Sequence, residues 1–135
     1  MSRGILVVSM LVCLILVVGS CNLTAISHVE GEKLYKIHCA NCHMEDGSGL
    51  AALYPPLQKA DYLQSLGVSL SCITRNGLQE PIIVNGVKYE QAMPANDRLS
   101  DVEITNICNY VLSKWTDDDS YVSLGLVKET LSNCQ

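Results

Sequence analysis

Cys39-Ala40-Asn41-Cys42-His43 is the stretch of this sequence on which the interpretation of the rest depends. Two intervening residues bring both cysteine sulfurs to one edge of a flat ring system, and the next residue, His43, then projects beneath the ring towards its centre. This C-x-x-C-H spacing is typical of covalent haem attachment, in which the thiols add to the two vinyl groups and the histidine binds iron. The sequence therefore predicts one haem c, attached through Cys39 and Cys42 and ligated by His43.

Two other uses of paired cysteines fit the sequence less well. A dithiol redox motif is expected at the start of a helix after a strand, whereas here a helical stretch leads into Cys39 and no strand precedes it. A zinc site needs four ligands, and Cys72 and Cys108 are too far apart in sequence to form a second pair. The composition also favours haem, because a chain with no Phe and one Trp leaves room in its core for a large ring.

The second iron ligand is predicted by elimination. Beyond the N-terminal segment the only methionines are Met44 and Met93, and Met44 directly follows the proximal histidine, so it cannot reach the opposite face of the ring. His38 adjoins the attachment motif and His28 lies near the N-terminus, so neither is a strong candidate. Met93 precedes Pro94 in a predicted loop, where a rigid residue can aim a thioether. The alternative is that Met93 simply fills the core.

The first residues are typical of an export signal. Arg3 precedes an apolar run at residues 5–18, which is shorter than the about 20 residues that a membrane-spanning helix needs. The run ends in Val18-Gly19-Ser20-Cys21, which resembles the lipobox of bacterial lipoproteins. We therefore expect a lipoprotein-type signal peptide at residues 1–20, and a tether at residues 21–28 that is anchored to a membrane through lipidated Cys21 on the periplasmic side of the bacterial cell envelope. The alternative is an ordinary cleaved signal with an incidental cysteine.

The remaining chain carries mostly helical patterns and one hairpin signal. Ser100 and Glu103 form a capping box at the start of the last strong helical pattern, which runs to about residue 114. Asn85-Gly86 lies between two short apolar stretches, as in a two-residue hairpin turn. The predicted elements are helices at 29–38, 61–66 (with Asp61 as its cap) and 68–75, strands at 82–84 and 87–89, the helix at 100–114, and a tail at 117–135.

Several of these motifs together resemble the class I cytochrome c family, over about residues 29–116. They are Gly31, Tyr35, the C-x-x-C-H motif, Tyr54-Pro55-Pro56-Leu57, Met93-Pro94, Leu99-Ser100-Asp101 and Asn109-Tyr110-Val111. The resemblance implies an all-α cytochrome c fold, with three to four helices around a covalently attached haem and one small β-hairpin. Residues 29–116 would form the cytochrome c domain, followed by a C-terminal tail.

The resemblance also implies roles for particular residues. The first and last helices of the domain would cross at Gly31, with Tyr35 and Tyr110 near the crossing. The Pro55 carbonyl would accept the ring N–H of His43, a contact that fixes the orientation of a metal ligand. Leu57 would pack against haem.

These features favour a single-electron carrier of a respiratory chain and not an enzyme. The redox partners would be a quinol-oxidising complex as donor and a terminal reductase or oxidase as acceptor, because the Asn-Gly hairpin resembles that of small cytochromes accompanying such complexes. The alternative is a haem enzyme or gas sensor with an open or displaceable sixth position. A net charge of −5 without a basic stripe excludes nucleic acid as an expected partner.

The remaining charges and thiols leave choices open. Lys33, Lys36, Lys59 and Lys88 could steer a partner to the haem edge or simply be solvated. Arg75 could pair with a haem propionate or be an ordinary surface residue.

Of the cysteines outside the motif and the lipobox, Cys72 with Cys134 is the favoured disulfide, since Cys108 lies on an apolar helical stripe. Pairing of Cys72 with Cys108 is nearly as plausible.

Overall fold

The computed structural model describes residues 7–10, 22–117 and 121–134, so Cys21 and most of the predicted export segment lie outside the described residues. The described chain is mostly helical with one antiparallel hairpin, which confirms the expected all-α fold. Its elements are α1 (Asn22–His38), α2 (Ala40–His43), α3 (Asp61–Gln64), a 3-10 turn (Gly67–Ser69), α4 (Leu70–Asn76), β1 (Ile82–Val84), β2 (Val87–Tyr89), α5 (Asp101–Trp115) and α6 (Leu124–Ser132). Within the described ranges no helix is long and apolar enough to span a membrane.

The frame of the fold is the crossing of α1 and α5. Gly31 lies at the crossing, where a Cβ atom would be 2.2 Å from the Asn106 carbonyl oxygen and 2.8 Å from Cβ of Tyr110. Tyr35, one turn further along α1, packs its ring 5.5 Å from that of Tyr110 and is fully buried. The crossing implied by the family resemblance is therefore present, and it depends on a residue without a side chain at position 31.

The first helix begins earlier than the sequence indicates. Residues 22–28 belong to α1, whereas the sequence favours a polar tether at residues 21–28. Ser27 Oγ donates to Asn106 Oδ1 over 2.8 Å, and His28 Nε2 lies 2.5 Å from Ser113 Oγ. The close approach at Gly31 brings α5 within reach of these polar side chains, so the segment is docked on α5.

The β-hairpin pairs Ile82 with Tyr89 and Val84 with Val87, as its sequence predicts. Asn85 and Gly86 both adopt positive φ, at 51° and 78°. Asp61 is the first residue of α3, and Ala60 takes the N-cap position. The Asp61 carboxylate accepts the backbone N–H of Tyr62 at 2.7 Å and that of Asn85 at 2.8 Å, while the Asp61 N–H donates to Asn85 Oδ1 at 3.1 Å. This exchange ties the hairpin turn to α3.

The capping box of α5 is confirmed, with Ser100 Oγ accepting from the Glu103 backbone and the Glu103 side chain accepting from Ser100 N. The buried Asn109 side chain of α5 binds the backbone of Val122. Its Oδ1 accepts the Val122 N–H at 2.8 Å, and its Nδ2 donates to the Val122 carbonyl at 3.0 Å.

The predicted tail contains the helix α6, which packs against α4 and α5. Cys134, at the end of this segment, forms a disulfide with Cys72 in α4, as the sequence analysis favours.

Candidate functional site

The C-x-x-C-H motif forms a single tight helical turn after α1. The Cys39 N–H still donates to the Tyr35 carbonyl at 2.8 Å, and the Cys39 carbonyl then accepts from both Cys42 N and His43 N at 3.1 and 3.0 Å. All three motif side chains line one cleft. The local sequence therefore brings both thiols and the imidazole to one wall.

This cleft is largely apolar and lies between the motif, α3, α4, the hairpin and α5. It opens to solvent on one side, and the motif, Met93 and a set of apolar side chains line it together. Its apolar walls include Leu57, Leu63, Leu66, Leu70, Ile107 and Val111. This apolar lining suits a large apolar cofactor, and Leu57 is part of it.

His43 is oriented by a backbone carbonyl. Its Nδ1 lies 3.1 Å from the Pro55 oxygen, and because a carbonyl only accepts, Nδ1 carries the proton. Burial lowers the pKa of His43, while the Pro55 contact raises it by a smaller amount. A neutral imidazole with a protonated Nδ1 leaves the Nε2 lone pair available to a metal.

The thiol of Cys39 is not activated as a nucleophile in this environment. Burial, followed by the proximity of Cys42, raises the pKa of Cys39 to about 12. Catalytic dithiols have the opposite property, a lowered thiol pKa. The environment of Cys39 therefore differs from that of a catalytic dithiol redox motif.

Met93 lines the same cleft as the motif. Its backbone pairs with Leu78, with Met93 N donating to Leu78 O at 2.8 Å and Leu78 N donating to Met93 O at 3.0 Å. Gly77 adopts positive φ at 74°, and a Cβ atom there would lie 2.3 Å from the Met93 oxygen. The backbone of Met93 is thus packed tightly against the end of α4.

Arg75 is placed differently from the suggested contact with a haem propionate. It is not among the residues lining the cleft, and its guanidinium pairs with the Asp101 carboxylate at 2.6 Å. The pairing arises because α4 ends beside the start of α5, so the nearest anion is a protein carboxylate. The propionate contact therefore has no support from this geometry.

One polar residue at the site, Asn96, has no signal in the sequence. Asn96 lines the cleft, its side-chain amide donates to the Thr74 carbonyl at 3.1 Å, and its backbone N–H donates to the Arg75 carbonyl at 3.0 Å. These bonds satisfy carbonyls in the last turn of α4. No spacing in the sequence connects residue 96 with residues 74 and 75, so only the folded arrangement identifies it.

An apolar cleft with two thiols and an oriented imidazole on one wall, and with a thioether in its lining, has the donor set of a c-type haem protein. The family described as cytochrome c matches residues 28–115, and the chain therefore belongs to the cytochrome c family. As a member it carries one covalently attached c-type haem and acts in electron transfer. Cys39 and Cys42 are the thiol pair that the cleft offers for attachment.

Proteins similar to this chain include several cytochromes. The chain is 34% identical over 97 residues to a cytochrome c-552 of Thermus thermophilus, an alignment that covers 69% of this chain and 65% of that protein. It is 36% identical over 87 residues to a cytochrome c6-like protein of Nostoc, covering 64% and 69%. The cytochrome c subunit of an alcohol dehydrogenase (quinone) from Gluconobacter oxydans is 31% identical over 91 residues, covering 63% of this chain and 18% of that subunit.

Proposed function

We propose that this protein is a single-electron carrier of a respiratory chain in the bacterial cell envelope, with haem iron ligated by His43 and Met93. The observation that supports this most directly is that His43 and Met93 line one cleft together with Cys39 and Cys42. When bound, haem supplies one-electron oxidation and reduction of its iron. If His43 and Met93 both held the iron, no position would be left for a substrate, which favours electron transfer over catalysis.

The protein's own residues contribute orientation and a dry environment. The Pro55 carbonyl fixes the His43 ring with Nε2 free. The ladder between Met93 and Leu78 holds the Met93 backbone. The surrounding leucine, isoleucine and valine side chains keep water from the cofactor, and both a buried environment and a thioether ligand influence the reduction potential.

We propose a quinol-oxidising complex as electron donor and a terminal reductase or oxidase as acceptor. The relative that is a subunit of a quinone-dependent alcohol dehydrogenase is consistent with docking to larger redox enzymes. Of the four lysines considered for steering a partner, Lys33, Lys36 and Lys88 each lie within ion-pair distance of an exposed glutamate, so their charges are partly balanced locally. The exposed Leu50 and Leu53 precede Tyr54 and Pro55 at the cleft and supply apolar contact instead.

The envelope location is proposed from the export signal and from the disulfide between Cys72 and Cys134, since disulfides persist in oxidising compartments. Lipidation of Cys21 would anchor the chain to a membrane. We expect Cys21→Ser to move the protein from the membrane fraction to the soluble periplasmic fraction. Continued membrane association of this variant would contradict the lipid anchor.

The central test is the visible and near-infrared spectrum of the haem-loaded protein in both redox states. Ligation by Met93 produces a weak near-infrared thioether-to-iron band in the oxidised protein, which Met93→Ala should abolish. Met44→Ala is the matched control, because Met44 is the other methionine of the domain and does not line the cleft. A band that survives Met93→Ala would rule out Met93 as the ligand. High-spin iron that binds small gases readily in the unmodified protein would replace this proposal with the sensor or enzyme alternative.

A further inference from the structure

The C-terminal segment, residues 121–134, follows the region that matches the cytochrome c family, yet it is held at both ends. At its start, Val122 is bound through its backbone N–H and carbonyl by the buried Asn109 side chain. At its end, Cys134 is joined covalently to Cys72 in α4. Between these points Val127 is fully buried. The segment is therefore an integral layer against α4 and α5.

The helix that receives this disulfide is also the helix that holds Met93. Cys72 is the third residue of α4, a helix of only two turns that ends at Asn76. Directly after it, Gly77 packs against the Met93 carbonyl, and Leu78 pairs with Met93 through two backbone hydrogen bonds. A displacement of α4 is therefore transmitted to Met93 through backbone contacts.

The chain beyond Met93 returns to the same helix. Asn96 donates from its side chain to the Thr74 carbonyl and from its backbone to the Arg75 carbonyl. The backbone is thus attached to the end of α4 both at Met93 and three residues later. The position of α4 accordingly determines the position of the Met93 loop.

We propose that the C-terminal segment is a positioning element for Met93, which acts by holding α4 through the Cys72–Cys134 disulfide. This inference rests on the proposed function in one respect, namely that Met93 binds iron. Release of the segment leaves α4 with fewer constraints and raises the fraction of molecules in which Met93 is detached, before the protein as a whole unfolds.

The test compares two haem-loaded variants of the full chain. Cys72→Ser combined with Cys134→Ser removes the disulfide, whereas Gly31→Ala disturbs the crossing of α1 and α5 away from α4. In each we would follow the thioether-to-iron band and the far-ultraviolet circular dichroism during heating. Energetic coupling between two sites through packed elements typically changes an equilibrium constant by about 2- to 30-fold. We expect a rise of that size in Met93 detachment for the disulfide variant, and for Gly31→Ala a loss of the band only together with unfolding.

Amide hydrogen exchange supplies a second readout that does not require Met93 to bind iron. The backbone N–H groups of Leu78 and Met93 should exchange about 2- to 30-fold faster in the disulfide variant than in Gly31→Ala, at equal global stability. If the unmodified protein has no thioether band, the proposed ligation fails while the exchange result still decides whether the segment positions this loop. Equal exchange in the two variants would overturn the inference, because the segment would then add only general stability.

A milder variant covers the case in which the double serine variant does not fold. Val127→Ala leaves the disulfide intact but creates a cavity beneath α6. It should accelerate exchange of the same two amides by a smaller factor, again relative to Gly31→Ala. Unchanged exchange at Leu78 and Met93 in Val127→Ala would contradict the proposal.

Discussion

Gly31→Ala tests whether the α1–α5 crossing depends on the absence of a side chain. The added Cβ would lie 2.2 Å from the Asn106 oxygen, whereas Cβ atoms in proteins essentially never approach closer than 3.0 Å. The obstacle is a backbone carbonyl within α5, which cannot rotate away. The two helices must therefore separate by most of an ångström, which stretches the bond between Ser27 and Asn106 and loosens the packing of Tyr35 on Tyr110.

Two opposing contributions determine the size of the effect. Alanine is favoured over glycine within a helix by about 1 kcal/mol. Overpacking a tight contact costs about 1–3 kcal/mol, and we expect the upper end here because backbone opposes the new atom. The net loss in the free energy of unfolding is then about 2 kcal/mol. For a domain of this size, that corresponds to a decrease in Tm of roughly 8–16 °C.

The matched control is Gly125→Ala in α6. There the nearest atom to an added Cβ is Ser123 Oγ at 3.9 Å, an ordinary contact. Only the propensity contribution remains, so this variant should be neutral or more stable by up to about 1 kcal/mol. Urea unfolding of the haem-loaded proteins, followed by circular dichroism, measures both. The reasoning about the crossing is refuted if Gly31→Ala is as stable as Gly125→Ala.

Three further predictions concern other contacts. Asn109→Ala should reduce the free energy of unfolding by about 3 kcal/mol, because the buried N–H and carbonyl of Val122 both lose their partner. Urea unfolding measures this loss, and a value below about 1 kcal/mol would show that water replaces the side-chain amide. Hydrogen bonds from Ser100 lower the pKa of Glu103 below its ordinary value of 4.5. Ionised Glu103 therefore stabilises the folded protein fully above pH 4.5, and this contribution is lost as the pH falls through the lowered pKa. The stability difference between the unmodified protein and Glu103→Gln should therefore shrink on acidification, and a constant difference would count against it. Gly86→Ala should lower the free energy of unfolding by about 1 kcal/mol because of the φ of 78° at this position, since nothing lies within 4 Å of an added Cβ. Gly86→Asn should lower it less in the same thermal unfolding experiment, because asparagine tolerates this conformation.

Local patterns predicted several elements well. The hairpin at Asn85-Gly86 and the capping box of Ser100 and Glu103 form through interactions between residues a few positions apart, so the local sequence is sufficient to predict them. The start of α1 was predicted too late for the opposite reason. Residues 22–28 carry no strong helical pattern. The contacts that hold the end of this segment on α5 join Ser27 to Asn106, 79 positions away, and His28 to Ser113.

The cofactor site divides in the same way. Attachment at Cys39 and Cys42 and the choice of His43 follow from a motif of five consecutive residues. The elimination that selects Met93 also uses sequence alone, but its place in the same cleft depends on the ladder with Leu78. The pairing of Arg75 with Asp101 could not be predicted, because a charge pattern does not reveal which anion the fold brings near.

The sequence by itself determined the haem-attachment motif, the helical class and the hairpin, because each depends on interactions between residues close in the chain. The tertiary structure alone decided that Cys72 joins Cys134, that Arg75 pairs with Asp101, and that the predicted tail folds as a helix against α4. Those outcomes depend on distances between elements that are far apart in sequence, and such distances are set only when the apolar faces of the helices pack into one core.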